Sequence, residues 1–133
     1  MPEFSDIFIA KNPEDAVNYN VLEQSYPHIA LNDVTDYELS ALWASLSNSR
    51  VKEIHELEFI ELDSDAILYR LPEAFFKAIV ALEDTDLRSV AAIWAEHDEI
   101  HWRLPHAQQK LEEIRALAKQ AQQENKELYL MLA

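Results

Sequence analysis

The sequence predicts a mainly α domain leaning towards α+β. About five helices are expected around a central helix at 72–83, with a small hairpin and short terminal strands as the β component. Three observations lead there. Apolar residues recur at helical spacing in three stretches, 39–46, 87–94 and 107–121. Helix-opening signals stand at Thr35-Asp36-Tyr37-Glu38, at Pro72-Glu73 and at Pro105. The 133-residue chain contains no glycine, so the one discernible hairpin lacks its usual turn residue.

Taken in order, Asp6-Ile7-Phe8-Ile9-Ala10 reads as a short strand. Asn12-Pro13-Glu14-Asp15 places Asn at an N-cap and Pro at the first helical position, which opens a helix expected to run to about Gln24. Ser25-Tyr26-Pro27-His28 breaks it. Thr35 and Glu38 form a capping box, with Val34 and Leu39 as its apolar staple. Leu39, Leu42, Trp43 and Leu46 then share one helical face, and Ser47-Asn48-Ser49 ends the helix. Residues 51–71 admit either a helix over Val51–Leu62 or strands at 57–62 and 66–71 about Asp63-Ser64-Asp65; the strands are the preferred reading.

Pro72 opens a helix in which Phe75, Phe76, Ala78, Ile79, Val80 and Leu82 cover more than one stripe, as in a central helix. Thr85 is expected to cap the next, whose face is Leu87, Val90, Ala91 and Trp94. Pro105 opens the last helix, with Leu104, Ala107, Leu111, Ile114, Ala118 and Ala121 spaced by threes and fours. Asn125 is placed to adopt the left-handed conformation that ends many helices. Leu128–Leu132 follows as a closing strand beside 6–10 or as a last helical turn. The predicted core is Leu39, Leu42, Trp43, Phe75, Ile79, Leu82, Val90, Trp94, Leu111 and Ile114.

Length and a 49% hydrophobic composition fit one compact helical domain over 1–133. Without glycine, the standard P-loop, the GxGxxG dinucleotide turn and the GxSxG nucleophile elbow are excluded. Without cysteine there are no disulfides and no thiolate zinc sites. Met1–Asp6 has neither a basic nor an apolar signal-peptide region, and no apolar run approaches the roughly 18 residues of a membrane span. The expected setting is the cytoplasm. Acidic residues number 25 against 11 basic ones, a net charge of −14. That field disfavours nucleic acid and anionic membrane and attracts basic proteins.

Four features bear on function. The first is the acidic run Glu53, Glu56, Glu58, Glu61, Asp63 and Asp65. Such a run is ordinarily a solvated face, and it also suits a basic partner. Its lack of a loop glycine and the apolar Ile67 argue against a calcium loop. The second is His97 and His101, which on a helix stand one turn apart and approach the HExxH pattern, with Asp98 where the general-base Glu belongs. They would hold a divalent metal only with a third ligand such as His55 or Glu56. Otherwise Asp98 and His101 pair as structural neighbours. The third is Trp102 beside Arg103, a composition enriched at interfaces. The fourth is the Ala-rich stripe of the last helix, which normally packs inside its own domain and otherwise supports a homo-oligomer. No nucleophile is accompanied by a recognisable base. The leading expectation is a non-enzymatic module whose acidic face, with Trp102, binds a basic protein, for example an inhibitor or immunity-type protein. The alternatives are a metal-dependent enzyme built on His97 and His101, and a structural subunit.

Overall fold

Two apolar runs far apart in the sequence pair along their whole length. Strand β1 (Ser5–Ala10) lies antiparallel to β5 (Glu127–Leu132), from Ser5 opposite Leu132 to Ala10 opposite Glu127. The computed structural model describes residues 4–47, 55–97 and 100–133. Around this pair the sheet extends both ways. Strand β2 (His28–Ala30) adds to the outer side of β1, and β4 (Ile67–Arg70) then β3 (Glu58–Ile60) add beyond β5. All four pairings are antiparallel.

The alternation of side chains gives the sheet two different faces. Ile7 and Ile9 of β1 and Leu128, Leu130 and Leu132 of β5 face the helices. Phe8, Ala10, Leu68, Tyr129 and Met131 face the other way, into a second cluster with Ala16 and Tyr19. Both faces of β1 and β5 are therefore buried, and each large apolar side chain fully buried there contributes about 1.5–3 kcal/mol.

Four helices form the layer on the first face: α2 (Asp36–Leu46), α3 (Glu73–Ala81), α4 (Asp84–Ala95) and α5 (Leu104–Gln123). The fifth, α1 (Pro13–Ala16), is a single turn beside β1. Helix α5 crosses β1, β2 and β5 and packs against α3 and α4. Its stripe of Ala107, Leu111, Ile114, Ala118 and Ala121 is buried in the chain's own core. Small residues there let the helix approach closely. At its end, Asn125 takes the left-handed conformation, φ 58°. The Lys126 N–H donates to the Ala121 carbonyl at 2.8 Å and the Asn125 N–H to the Gln122 carbonyl at 3.1 Å, a complete Schellman closure. At α2 the Glu38 carboxylate accepts the Thr35 N–H at 2.7 Å and the Thr35 hydroxyl at 2.6 Å, the expected capping box. The Trp94 indole N–H donates to the Glu38 carbonyl at 2.8 Å and ties α4 to α2.

The structure corrects the fold class. A five-stranded antiparallel sheet backs the helices, so the domain is α+β and not a helical domain with a small hairpin. The centre is not the helix at 72–83: α3 exposes Ala74, Lys77 and Ala81, and the middle of the fold is β1, β5 and α5. The helix expected over 13–24 stops after one turn. Asn12 caps it as read, accepting the Asp15 N–H at 2.8 Å, but Tyr19 turns inward to stack on Phe8 at 4.0 Å between ring centres. That burial outweighs the weak helical preference of Asn18 and Asn20. Strand β2 lies within and just after the Ser25–His28 break and was not foreseen. Of the predicted core, Trp43 and Val90 are only half-buried. No helix among the described residues is long and apolar enough to cross a membrane.

The left-handed Asn125 generates a prediction. Asn125→Ala, which places a Cβ-bearing non-Asn residue there, lowers stability by about 1 kcal/mol, while Asn125→Gly leaves it level or slightly raised. Urea denaturation of the three proteins checks this. Equal losses in both variants would locate the effect in the side-chain amide instead of the backbone.

Candidate functional site

The acidic run becomes the outer hairpin of the sheet. β3 and β4 pair Glu58 with Arg70, Phe59 with Tyr69 and Ile60 with Leu68. The connection from Glu61 to Ala66 is long enough to turn without glycine, and the Ser64 hydroxyl accepts the Ala66 N–H at 3.3 Å within it. Glu58, Glu61, Asp63 and Asp65 are all exposed on this one element, and Glu56 is exposed two residues before it. Glu53 lies outside the described residues. Among the described residues, only Glu58 of these five takes part in an ion pair, at 3.7 Å from Arg70, which is also paired with Glu127.

On the same edge strand stands Phe59, 65% exposed, on the opposite face from Glu58. Its ring meets Tyr69 edge-on at 6.0 Å. Tyr69 packs against the core in turn, and burial, then the Asp36 charge at the start of α2, raises the phenol's pKa. Leu57, just before β3, is buried and Glu58 is exposed, while Phe59, which shares the facing of Leu57, is left in solvent at the edge of the sheet.

Behind the hairpin tip, on the second face of the sheet, lies a cleft of about 600 Å³. One wall is the segment Val17–Val21; the other is Glu61–Ser64 with Ala66, and Met131 is part of the lining. The covering segment is held by aromatic packing. Phe8 stacks on Tyr19 and on Tyr129, and Tyr26 tilts against both Phe8 and Tyr19. Three tyrosines each donate to a carboxylate: Tyr19 to Asp6 at 2.7 Å, Tyr26 to Asp15 at 3.0 Å and Tyr129 to Glu127 at 2.7 Å. Burial, then the adjacent carboxylate, pushes the Tyr19 and Tyr129 phenols far above their ordinary range, so they remain donors at any ordinary pH. The Lys11 backbone N–H, with Tyr26, holds Asp15 below the ordinary carboxylate value against a smaller opposing effect of burial.

The histidines are not one turn apart on a helix. Helix α4 ends at Ala95, the chain bends through His97, and His101 is exposed with φ 48°. The Trp102 N–H returns to the Ala95 carbonyl at 3.2 Å, which folds the segment back after the helix. Asp98 lies outside the described residues. Among the described residues no three His, Asp or Glu side chains converge as a metal cluster.

Trp102 sits apart from the hairpin, between α4 and α5. It meets Trp94 edge-on at 4.9 Å and His106 at 5.7 Å, and the Lys110 ammonium lies 5.3 Å from its ring centre. Lys110, only 7% exposed, bonds Asp33 at 2.5 Å, and His106 bonds the other Asp33 oxygen at 3.0 Å. Sequence reading missed Asp33 and Lys110, because 77 positions separate them and neither belongs to a motif. It missed Phe59 as well, whose alternation with Glu58 reads as core.

No protein-family model, curated protein or solved structure matches the chain. The functional reading therefore rests on the geometry alone.

Burial opposes ionisation of Asp33, but the hydrogen bonds from Lys110 and His106 and the Lys110 charge outweigh it, and the carboxyl titrates below its ordinary 3.8. A depressed carboxyl stabilises the fold above its unfolded pKa and loses that contribution as pH falls through the folded value. Wild type is accordingly more stable than Asp33→Asn near neutrality, and the gap closes on acidification below the ordinary value. Denaturant midpoints of both proteins, taken across that range, check it; a gap unchanged in acid would deny the ion pair its part.

Proposed function

We propose that this protein is a non-enzymatic binding module that docks a basic protein partner on its β3–β4 hairpin. The observation that carries this reading is Phe59, an exposed aromatic side chain on the edge strand of a hairpin that also carries four exposed carboxylates. Exposure of a lone apolar residue is ordinary. A phenylalanine resting on Tyr69, in a hairpin whose exposed Glu61, Asp63 and Asp65 have no ion-pair partner among the described residues, supports a binding surface with an aromatic anchor and an acidic margin. The ring supplies desolvated contact area at the centre. Glu56, Glu61, Asp63 and Asp65 supply complementarity to lysine and arginine from the same stretch of chain.

The whole-chain charge of −14 supports the same reading. It steers a basic partner towards the molecule and keeps copies of this chain apart. The short, charged edge strand also resists pairing with a second copy. An inhibitor or immunity-type role towards a basic protein is one concrete form of such a module, in a cytoplasm that suits its lack of cysteine.

Affinity capture from the native lysate at low and high salt identifies the partner, which is expected to be basic and to be released by salt. With that partner in hand, Phe59→Ala weakens binding about tenfold or more, chiefly through faster dissociation. Glu58→Lys combined with Glu61→Lys slows association about tenfold at low salt and much less at high salt. Association kinetics by surface plasmon resonance separate the two effects. Binding that is indifferent to both changes would rule out this face.

A further inference from the structure

We propose that the outer edge of β2 takes an extended, basic segment of a partner protein as a sixth strand of the sheet. This goes beyond the hairpin reading, because β2 and β3 are opposite edges of the sheet and neither site needs the other.

The register of β1 and β2 decides which backbone groups of the edge are turned outward. The Leu31 N–H donates to the Ser5 carbonyl at 2.8 Å, and the Ile9 N–H to the Pro27 carbonyl at 2.9 Å. In an antiparallel ladder such hydrogen-bonded pairs alternate with pairs that share no bond. With Ile7 opposite Ile29, the alternation turns the backbone groups of Pro27, Ile29 and Leu31 towards β1. It turns the N–H and C=O groups of His28 and Ala30 away from β1, and no strand of the sheet lies on that side. Donors and acceptors in this alternation match one ligand shape, an extended backbone. Exposed edges are ordinarily guarded by charge, by a bulge or by proline. His28-Ile29-Ala30 contains no lysine or carboxylate and pairs with β1 without a bulge. Pro27 does not guard it either, because its missing donor is on the side that faces β1.

A groove lies along this edge. All three residues of β2 line it, the other wall is Glu113, Ala116, Leu117 and Gln120 of α5, and its volume is about 400 Å³. Ile29 packs towards the helical layer. A residue placed opposite Ile29 in an added strand shares that facing, so its side chain enters the groove beside α5. Charge then selects between occupants. A second copy of this chain would bring another −14 to the edge, whereas the same field draws a basic segment in. Locally, Glu113 is the one charged residue among those that line the groove, and it has no ion-pair partner among the described residues.

The test uses the full chain, isotopically labelled for NMR, titrated with the blocked peptide acetyl-Lys-Thr-Val-Lys-Val-Thr-Lys-amide. Saturable shifts centred on His28–Ala30 and residues 113–120, with slowed hydrogen exchange of the His28 and Ala30 amides, support the added strand. N-methylation of one alternate set of peptide amides weakens binding about tenfold or more, and of the other set leaves it nearly level, since only one set bonds the edge. Ala30→Pro removes an outward donor without touching the ladder to β1 and weakens binding by a similar factor. The same peptide with glutamate for lysine binds several-fold more weakly, and Glu113→Lys narrows that difference. Shifts spread over the acidic surface, equal weakening by both methylated sets, or a free protein that is dimeric with those amides already protected overturn the proposal. If Ala30→Pro does not fold, the two methylated peptides on wild type still decide. Phe59→Ala leaves peptide binding unchanged, so failure of the docking hairpin and failure of this edge are read separately.

Discussion

The six-residue pairing of β1 with β5 is the constraint on which the rest of the structure depends. It sets two apolar strands side by side at the centre of the sheet and leaves both of their faces to be covered. One face takes α5 and, through it, α3 and α4. The other takes the turn of helix and the aromatic segment after it. Remove that pairing and neither layer has a floor. The hairpin β3–β4 hangs from the same strand, because β4 joins the sheet along β5. The position of Phe59 and the acidic turn is thus set by a contact between distant parts of the chain.

The sequence was most legible where structure is made locally. Thr35 with Glu38, Asn12 before Pro13, and Asn125 after the last helix each satisfy orphan backbone groups within a few residues, and each works in the structure as its pattern suggests. The sheet was under-read for a physical reason. Strands buried on both faces show no apolar–polar alternation, so Ile7-Phe8-Ile9 and Leu128–Leu132 look alike whether central or terminal. Nothing in either run says that they are partners, or that His28–Ala30 adds to the edge. The one-turn α1 illustrates the converse, where a local pattern is cut short because Tyr19 gains more from stacking on Phe8 than from continuing the helix.

The candidate site divides in the same way. That Glu58, Glu61, Asp63 and Asp65 face solvent follows from charge, and the structure gathers them on one hairpin. The setting of Phe59 depends on where the helical layer ends, which no local pattern encodes. The spacing of His97 and His101 carried meaning only on a helix, and α4 stops before them. Trp102 belongs to an inward cluster with Lys110 and Asp33, an arrangement that links loop, helix and ring across the sequence. The cleft is invisible in the sequence because its two walls come from segments some forty residues apart.

The central strand β5 is also the last of the five to be synthesised. While a ribosome is still making α5, β1 has no neighbour on its inner side, and its apolar residues and unpaired backbone await a strand not yet made. Closing that long loop costs entropy before the pairing stabilises anything, which is the situation of high contact order and slow folding. A nascent chain therefore carries an open, aggregation-prone edge for most of its synthesis. Its dense negative charge, largely placed before residue 103, then serves a second purpose: it keeps neighbouring unfinished chains apart until the sheet can close.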